Sequence, residues 1–167
     1  MLVQKELLET LPSPCHGLLN IAPRVGKTKL TLDIIKREKP KRILWITPNT
    51  KLRDEAIPAE FKLWKMLGYL KKTTLLCYSS LADHVGKYDL IVLDEYQYIT
   101  NNNVSPILNG KITYKNIIGL SGTHPKHKEK QDLYNRLDLK TLSEMTIDEA
   151  VGNKLIDVSK CLCFDDK

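Results

Sequence analysis

Five short apolar runs, at residues 17–21, 42–47, 73–78, 89–93 and 116–120, recur along the chain with longer amphipathic stretches between them. A run of this length with no polar alternation is the signature of a strand covered on both faces, because a buried helix needs more residues. Helices are expected at residues 3–11, 27–37, 50–66 and 127–137, the third interrupted near Pro58. Strands alternating with helices predict βαβ units. The expected fold is therefore α/β, with a mostly parallel central sheet and helices on both faces. Asn101, Asn102 and Asn103 with Pro106 mark a loop. Near the end, a short helix capped by Thr146 with Glu149 three residues later, then a strand over 155–163, is expected.

A chain of 167 residues is long enough for one domain with its own core, and no internal repeat or linker divides residues 1–145. Charge is unevenly spread. Residues 138–167 hold seven acids and four lysines, a net of −3, which leaves +9 on residues 1–137 of a chain totalling +6. A basic body favours a polyanionic partner through counterion release. A solvated lysine-rich surface would account for the same charge. Cys15, Cys77, Cys161 and Cys163 lack paired C-x-x-C spacing, and His124 and His127 do not complete a zinc pattern with them, so they read as reduced thiols. No stretch approaches the ~18 apolar residues of a membrane span, and a cytoplasmic protein is expected.

Three motifs carry chemistry. The run Ala22-Pro23-Arg24-Val25-Gly26-Lys27-Thr28 follows an expected strand and opens an expected helix, the setting of a phosphate loop. Backbone N–H groups and the helix dipole would hold a triphosphate there, Lys27 would bridge the β- and γ-phosphates, and the Thr28 hydroxyl would bind Mg²⁺. Next, Leu90-Ile91-Val92-Leu93-Asp94-Glu95 ends a buried strand in two acids at the ligand-binding edge of an α/β sheet. Asp94 would hold Mg²⁺ through water, and Glu95 would be the general base for an attacking water. Third, Ser121-Gly122-Thr123 follows an apolar run, so that small hydroxyls could bond the acidic pair and sense a γ-phosphate.

Taken together, these motifs resemble those of the first RecA-like domain of superfamily two helicases and translocases. Asp94-Glu95-Tyr96-Gln97 is similar to the family's D-E-x-H box, with Gln97 in the place of His or Asp, and Ser121-Gly122-Thr123 to its S-A-T motif. Pro23, Arg24, Val25, Gly26, Lys27 and Thr28 correspond to its phosphate loop, though Ile21 stands where the full pattern has its first glycine. Arg24, in place of a second glycine, is similar to phage-type helicases and packaging motors. Gln4 sits where an adenine-contacting glutamine would lie. Thr47-Pro48-Asn49 is similar to motif Ia, and Ser79 and Ser80 fall at motif Ib. The resemblance implies that these, with Lys51 and Arg53 nearby, touch a nucleic-acid backbone. Residues 59–64 are similar to the segment after motif Ia in Swi2/Snf2-like translocases, and 146–155 to the exit towards a second domain.

The implied protein is an ATP- and Mg²⁺-dependent motor acting on nucleic acid, with DNA the expected partner. Residues 1–145 would be its first RecA-like domain and 146–167 the exit. The second RecA-like domain would act in cis in a monomer, because no arginine-finger motif follows Thr123. A phage-encoded protein of this kind would work in the host cytoplasm. Two other readings fit parts of the pattern: the ATPase domain of a terminase-type packaging motor, and an adaptor that binds nucleotide without turnover.

Overall fold

A computed structural model describes residues 8–21 and 26–145. In chain order the elements are β1 (Gly17–Ile21), α1 (Lys27–Glu38), β2 (Ile43–Thr47), α2 (Ile57–Leu63), α3 (Leu67–Leu70), β3 (Thr73–Cys77) and α4 (Tyr78–Leu81). They continue with β4 (Gly86–Lys87), β5 (Leu90–Asp94), α5 (Ser105–Leu108), β6 (Ile112–Thr113), β7 (Asn116–Ser121), α6 (Lys128–Arg136) and β8 (Thr141–Met145). The expected helix and strand beyond residue 145, and most of the helix expected at 3–11, lie outside the described residues.

Every apolar run became a strand, and β2 and β5 are buried at all five positions. Six strands form one sheet in the order β3-β2-β5-β7-β1-β8, and every pairing in it is parallel. Successive side chains leave the sheet on opposite faces, which splits the core in two. Ile43 and Trp45 of β2, Leu90 and Val92 of β5, and Ile118 and Leu120 of β7 pack under Leu30, Ile34 and Ile35 of α1 and Ile57 and Phe61 of α2. Leu44, Ile46, Ile91, Leu93 and Ile117 face the other way, against Tyr78, Leu81, Leu133 and Tyr134. Helices therefore cover both faces, as the strand pattern requires. Because all six strands run the same way, their carboxyl ends open at one edge, where the start of α1, the end of β5 and the end of β7 meet.

The helix expected to break near Pro58 changes its hydrogen bonding instead. A π-helical turn, Leu52–Ala56, precedes α2, and the Ile57 N–H donates to the Leu52 carbonyl five residues back. Pro58 has no N–H to offer, and the wider turn carries the chain past that gap without ending the helix. β8 and the two-stranded sheet of β4 with β6 were not anticipated. Among the described residues no helix is long and apolar enough to cross a membrane.

Gly119 in the middle of β7 is required by packing. A Cβ there would lie 2.6 Å from Leu18 Cδ2 and 3.1 Å from Tyr96 Cδ2. Gly119→Ala should therefore lower stability by about 1 to 3 kcal/mol, the usual cost of overfilling a packed core. The check is a urea midpoint that falls with an unchanged slope; an unaltered midpoint would mean that Leu18 and Tyr96 yield freely.

Candidate functional site

The first turn of α1, the end of β5 and the end of β7 converge at the carboxyl edge of the sheet. Gly26 stands before α1 with φ of 81°, a left-handed conformation that glycine adopts without steric penalty, and its carbonyl accepts the first helical bond from Leu30 N–H at 3.0 Å. Pro23, Arg24 and Val25 of the expected phosphate loop, and Gln4, lie outside the described residues. Lys27 and Thr28 occupy the first helical turn.

Asp94 ends β5 at 4% exposure. Its only described side-chain donor is the indole N–H of Trp45, at 3.5 Å. Trp45 is itself wedged in place by Phe61 of α2, edge to face at 5.7 Å between ring centroids. From the opposite layer the Tyr78 hydroxyl donates to the Asp94 carbonyl at 2.9 Å. Burial, with the charges of Asp94 and Glu95 close by, raises the Tyr78 phenol well above its ordinary value and keeps it a donor. Burial pushes the Asp94 carboxyl from 3.8 up to about 6; attraction by Lys27 opposes this and repulsion by Glu95 adds to it.

Glu95 turns the chain out of the strand with φ of 56°, a conformation that costs a non-glycine residue about 1 kcal/mol or more. Its carboxylate then meets two groups. Lys27 Nζ lies 2.7 Å from Oε2, and Gln97 Nε2 donates to Oε1 at 3.1 Å. The Gln97 carbonyl oxygen lies 2.5 Å from Ser121 Oγ. Ser121 in turn accepts the Thr123 N–H at 2.9 Å, and Thr123 is exposed alongside Gly122. Lys27, Glu95, Gln97 and Ser121 thus form one hydrogen-bonded chain across three elements.

The remaining expected residues form a second group, at the ends of β2 and β3. Thr47 is fully buried and its hydroxyl donates to the Asn49 carbonyl at 3.1 Å. The Asn49 side chain accepts the Leu52 N–H at 2.9 Å, Pro48 is half-buried, and Lys51 is exposed. Arg53 is held by Asp54 at 2.7 Å, while Ser79 and Ser80 are exposed in α4. Asn49, Lys51, Ser79 and Ser80 are the members of this group that face solvent, and the Asn49 side chain is committed to the Leu52 N–H. Cys15 and Cys77 are buried free thiols, and no cluster of three metal-ligating side chains occurs among the described residues.

Trp45, Tyr78 and Phe61, which hold Asp94, have no motif of their own. Within an apolar strand or helix face they read as core, and only the register that sets Trp45 beside Val92 brings the indole to Asp94.

No family model and no curated protein matches the chain by sequence. In three dimensions it is similar to the SWI2/SNF2 ATPase core of Sulfolobus solfataricus in complex with dsDNA, with a TM-score of 0.52 and 22% identity. The fold is RecA-like. The match covers 72% of this chain and 30% of that one, so this chain spans less than a third of that ATPase core.

The raised Asp94 carboxyl has a consequence for stability. The unfolded chain releases this proton near pH 3.8 and the folded one near 6, so the fold loses stability as pH rises between those values, on the order of 3 kcal/mol in all. Asp94→Asn should raise the melting temperature of the ligand-free protein near neutral pH and leave it unchanged at about pH 4. Equal stabilisation at both would mean that ionisation of Asp94 is not the source.

Proposed function

We propose that this chain is the nucleotide-binding half of an ATP-driven motor that acts on DNA. The observation that carries the reading is the continuous connection from Lys27 through Glu95 and Gln97 to Ser121 at the carboxyl edge of a RecA-like sheet.

The donor set fits a nucleotide with its cation. Gly26 and the first turn of α1 offer N–H groups and the positive end of a helix dipole, the environment in which phosphates are held. Lys27 would release Glu95 and carry its charge to the β- and γ-phosphates. Thr28 and Asp94 would hold Mg²⁺, Asp94 largely through water, and the ion would neutralise charge on the phosphate oxygens. Its arrival would also offset the burial of the Asp94 carboxylate. Glu95, freed from Lys27, would orient the attacking water and take its proton. Gln97 would report the state of Glu95 to Ser121, Gly122 and Thr123. Pro23, Arg24 and Val25 would complete the cradle, and Gln4 would read the base.

Lys51, Ser79 and Ser80, at neighbouring strand ends on the same edge, are proposed to meet the phosphate backbone, with Thr47, Pro48 and Asn49 shaping the turn and Arg53 close by. Binding of that kind is independent of sequence and weakens steeply with salt. The dsDNA in the Sulfolobus structure and the +9 on residues 1–137 favour DNA as the partner. A second RecA-like domain in cis, beyond an exit at 146–167, would supply the arginine finger. An arginine finger is worth about 10³ to 10⁵ in rate, so residues 1–167 alone should turn over ATP slowly and unwind nothing.

Lys27→Ala should weaken ATP binding roughly 10- to 100-fold in calorimetry, the equivalent of one charge-assisted hydrogen bond. Unchanged affinity would remove Lys27 from the phosphates. Glu95→Gln should bind ATP at least as tightly, because Lys27 loses its competing partner. In the chain extended through a second RecA-like domain, the same change should slow hydrolysis by about 10² to 10⁴. Equal turnover of the variant and the parent would sink Glu95 as the base.

A further inference from the structure

The corner between α2 and α3 carries a surface that the motor reading leaves without a task. Leu63, Trp64 and Leu67 lie within five residues of one another and keep 63%, 41% and 47% of their surfaces exposed. An isolated exposed leucine is ordinary, but three large apolar side chains so close along the chain single out this corner as a candidate for a contact. They are framed by charge of one sign. Residues 60–72 contain Lys62, Lys65, Lys71 and Lys72 against the single acid Glu60, and all four lysines are exposed. None of the four makes an ion pair with a described residue.

Trp64 is fixed in orientation. Its indole N–H donates to Glu60 Oε1 at 3.3 Å, which spends the one acid of the segment on holding the ring's edge. Lys29 Nζ lies 4.6 Å from the ring centroid and is itself anchored to Asp33 at 2.5 Å, so one side of the indole is braced against α1. Trp64 as a whole keeps 41% of its surface exposed. Lys72 lies over the Tyr69 ring at 5.1 Å and the other three lysines surround Trp64 in sequence without ion pairs. A braced, part-exposed aromatic among such lysines is an arrangement by which proteins hold unpaired bases: the ring stacks a base and the ammonium groups meet the flanking phosphates.

We propose that this corner binds a single-stranded nucleic-acid segment, with a base stacked on Trp64 and the backbone on Lys62, Lys65, Lys71 and Lys72. The inference builds on the nucleic-acid reading above but concerns different residues, at the end of α2 and through α3 rather than at the Lys51 and Ser79 turns. An acidic protein segment would suit the charge equally. It suits the composition less well, because lysine is depleted in protein interfaces, whereas it is a standard point-charge contact to phosphate.

The chain reports on this surface directly. It has two tryptophans, Trp45 fully buried and Trp64 exposed, so a quench caused by stacking belongs to Trp64. Titration with a short oligothymidylate should quench the emission, and Trp64→Leu, which keeps an apolar side chain at an exposed position, should weaken binding by about 5- to 100-fold. Lys62→Gln with Lys65→Gln should flatten the salt dependence by about one unit of slope or slightly more. Polyglutamate of matched charge should leave the emission unchanged. A quench by polyglutamate as strong as that by oligothymidylate would overturn the proposal in favour of an acidic protein partner. Oligothymidylate binding that Trp64→Leu leaves intact would overturn it outright. Duplex DNA binding, followed by anisotropy in the same variants, separates the two readings: duplex affinity that persists while oligothymidylate fails defeats this surface and spares the motor. Conversely, a Trp64-dependent quench in a protein whose ATP affinity ignores Lys27→Ala keeps this surface and defeats the motor.

Discussion

The burial of the Asp94 carboxyl at the end of a fully buried strand sets the conditions for everything around it. A charge held at 4% exposure loses most of its hydration, and the indole N–H at 3.5 Å with the backbone N–H of Glu95 replaces only part of that loss. A valine or leucine at that place would be easier to fold. The position is instead supported from both layers: Trp45, wedged by Phe61 beneath α1 and α2, reaches the carboxyl, and Tyr78 from the other layer fixes the backbone carbonyl. An ionisable group kept in an unfavourable environment and braced on two sides is a mark of a site rather than of a core.

Lys27 and Glu95 show a related economy of charge. Both side chains are partly sheltered, at 17% and 28% exposure, and each would be poorly solvated alone. Paired at 2.7 Å they neutralise one another in the ligand-free protein, and the pair ties the first turn of α1 to the turn after β5, across the intervening strand β7. Any anion that draws Lys27 away leaves Glu95 with the neutral amide of Gln97 as its remaining described partner, and so alters the charge at both ends of the edge at once. In the proposed reading, ligand occupancy and the freedom of Glu95 would be coupled by this exchange of partners.

Much of the sheet was legible because fully covered parallel strands are continuous apolar runs, and Leu90–Asp94 or Ile43–Thr47 cannot be mistaken for an exposed element. What escaped had no such run. β8, with the sequence TLSEM, is an edge strand whose sequence holds no apolar run, and β4 and β6 are two residues long. At Pro58 the sequence signals only the missing N–H, which predicts an interruption, while the π-helical turn that absorbs it depends on the Leu52–Ile57 bond. In the site, strand ends told which residues would share an edge, since parallel order delivers them there. Which atoms meet was not legible: the direct Lys27–Glu95 bond and the Trp45–Asp94 approach depend on side chains separated by 68 and 49 residues.

Gln97 illustrates how a departure from a motif can be compatible with its geometry. Ionised Glu95 only accepts hydrogen bonds, so the amide nitrogen of Gln97 must face it, and the amide oxygen is then left to accept from Ser121. One side chain thereby offers a donor to the acid and an acceptor to the hydroxyl. A neutral histidine could do the same in one tautomer, but on protonation both of its nitrogens become donors and the bond from Ser121 is lost. An aspartate would have to be protonated to donate to Glu95 at all. The amide has no titration in the accessible range, so its orientation is set by what its two partners offer and not by a protonation of its own.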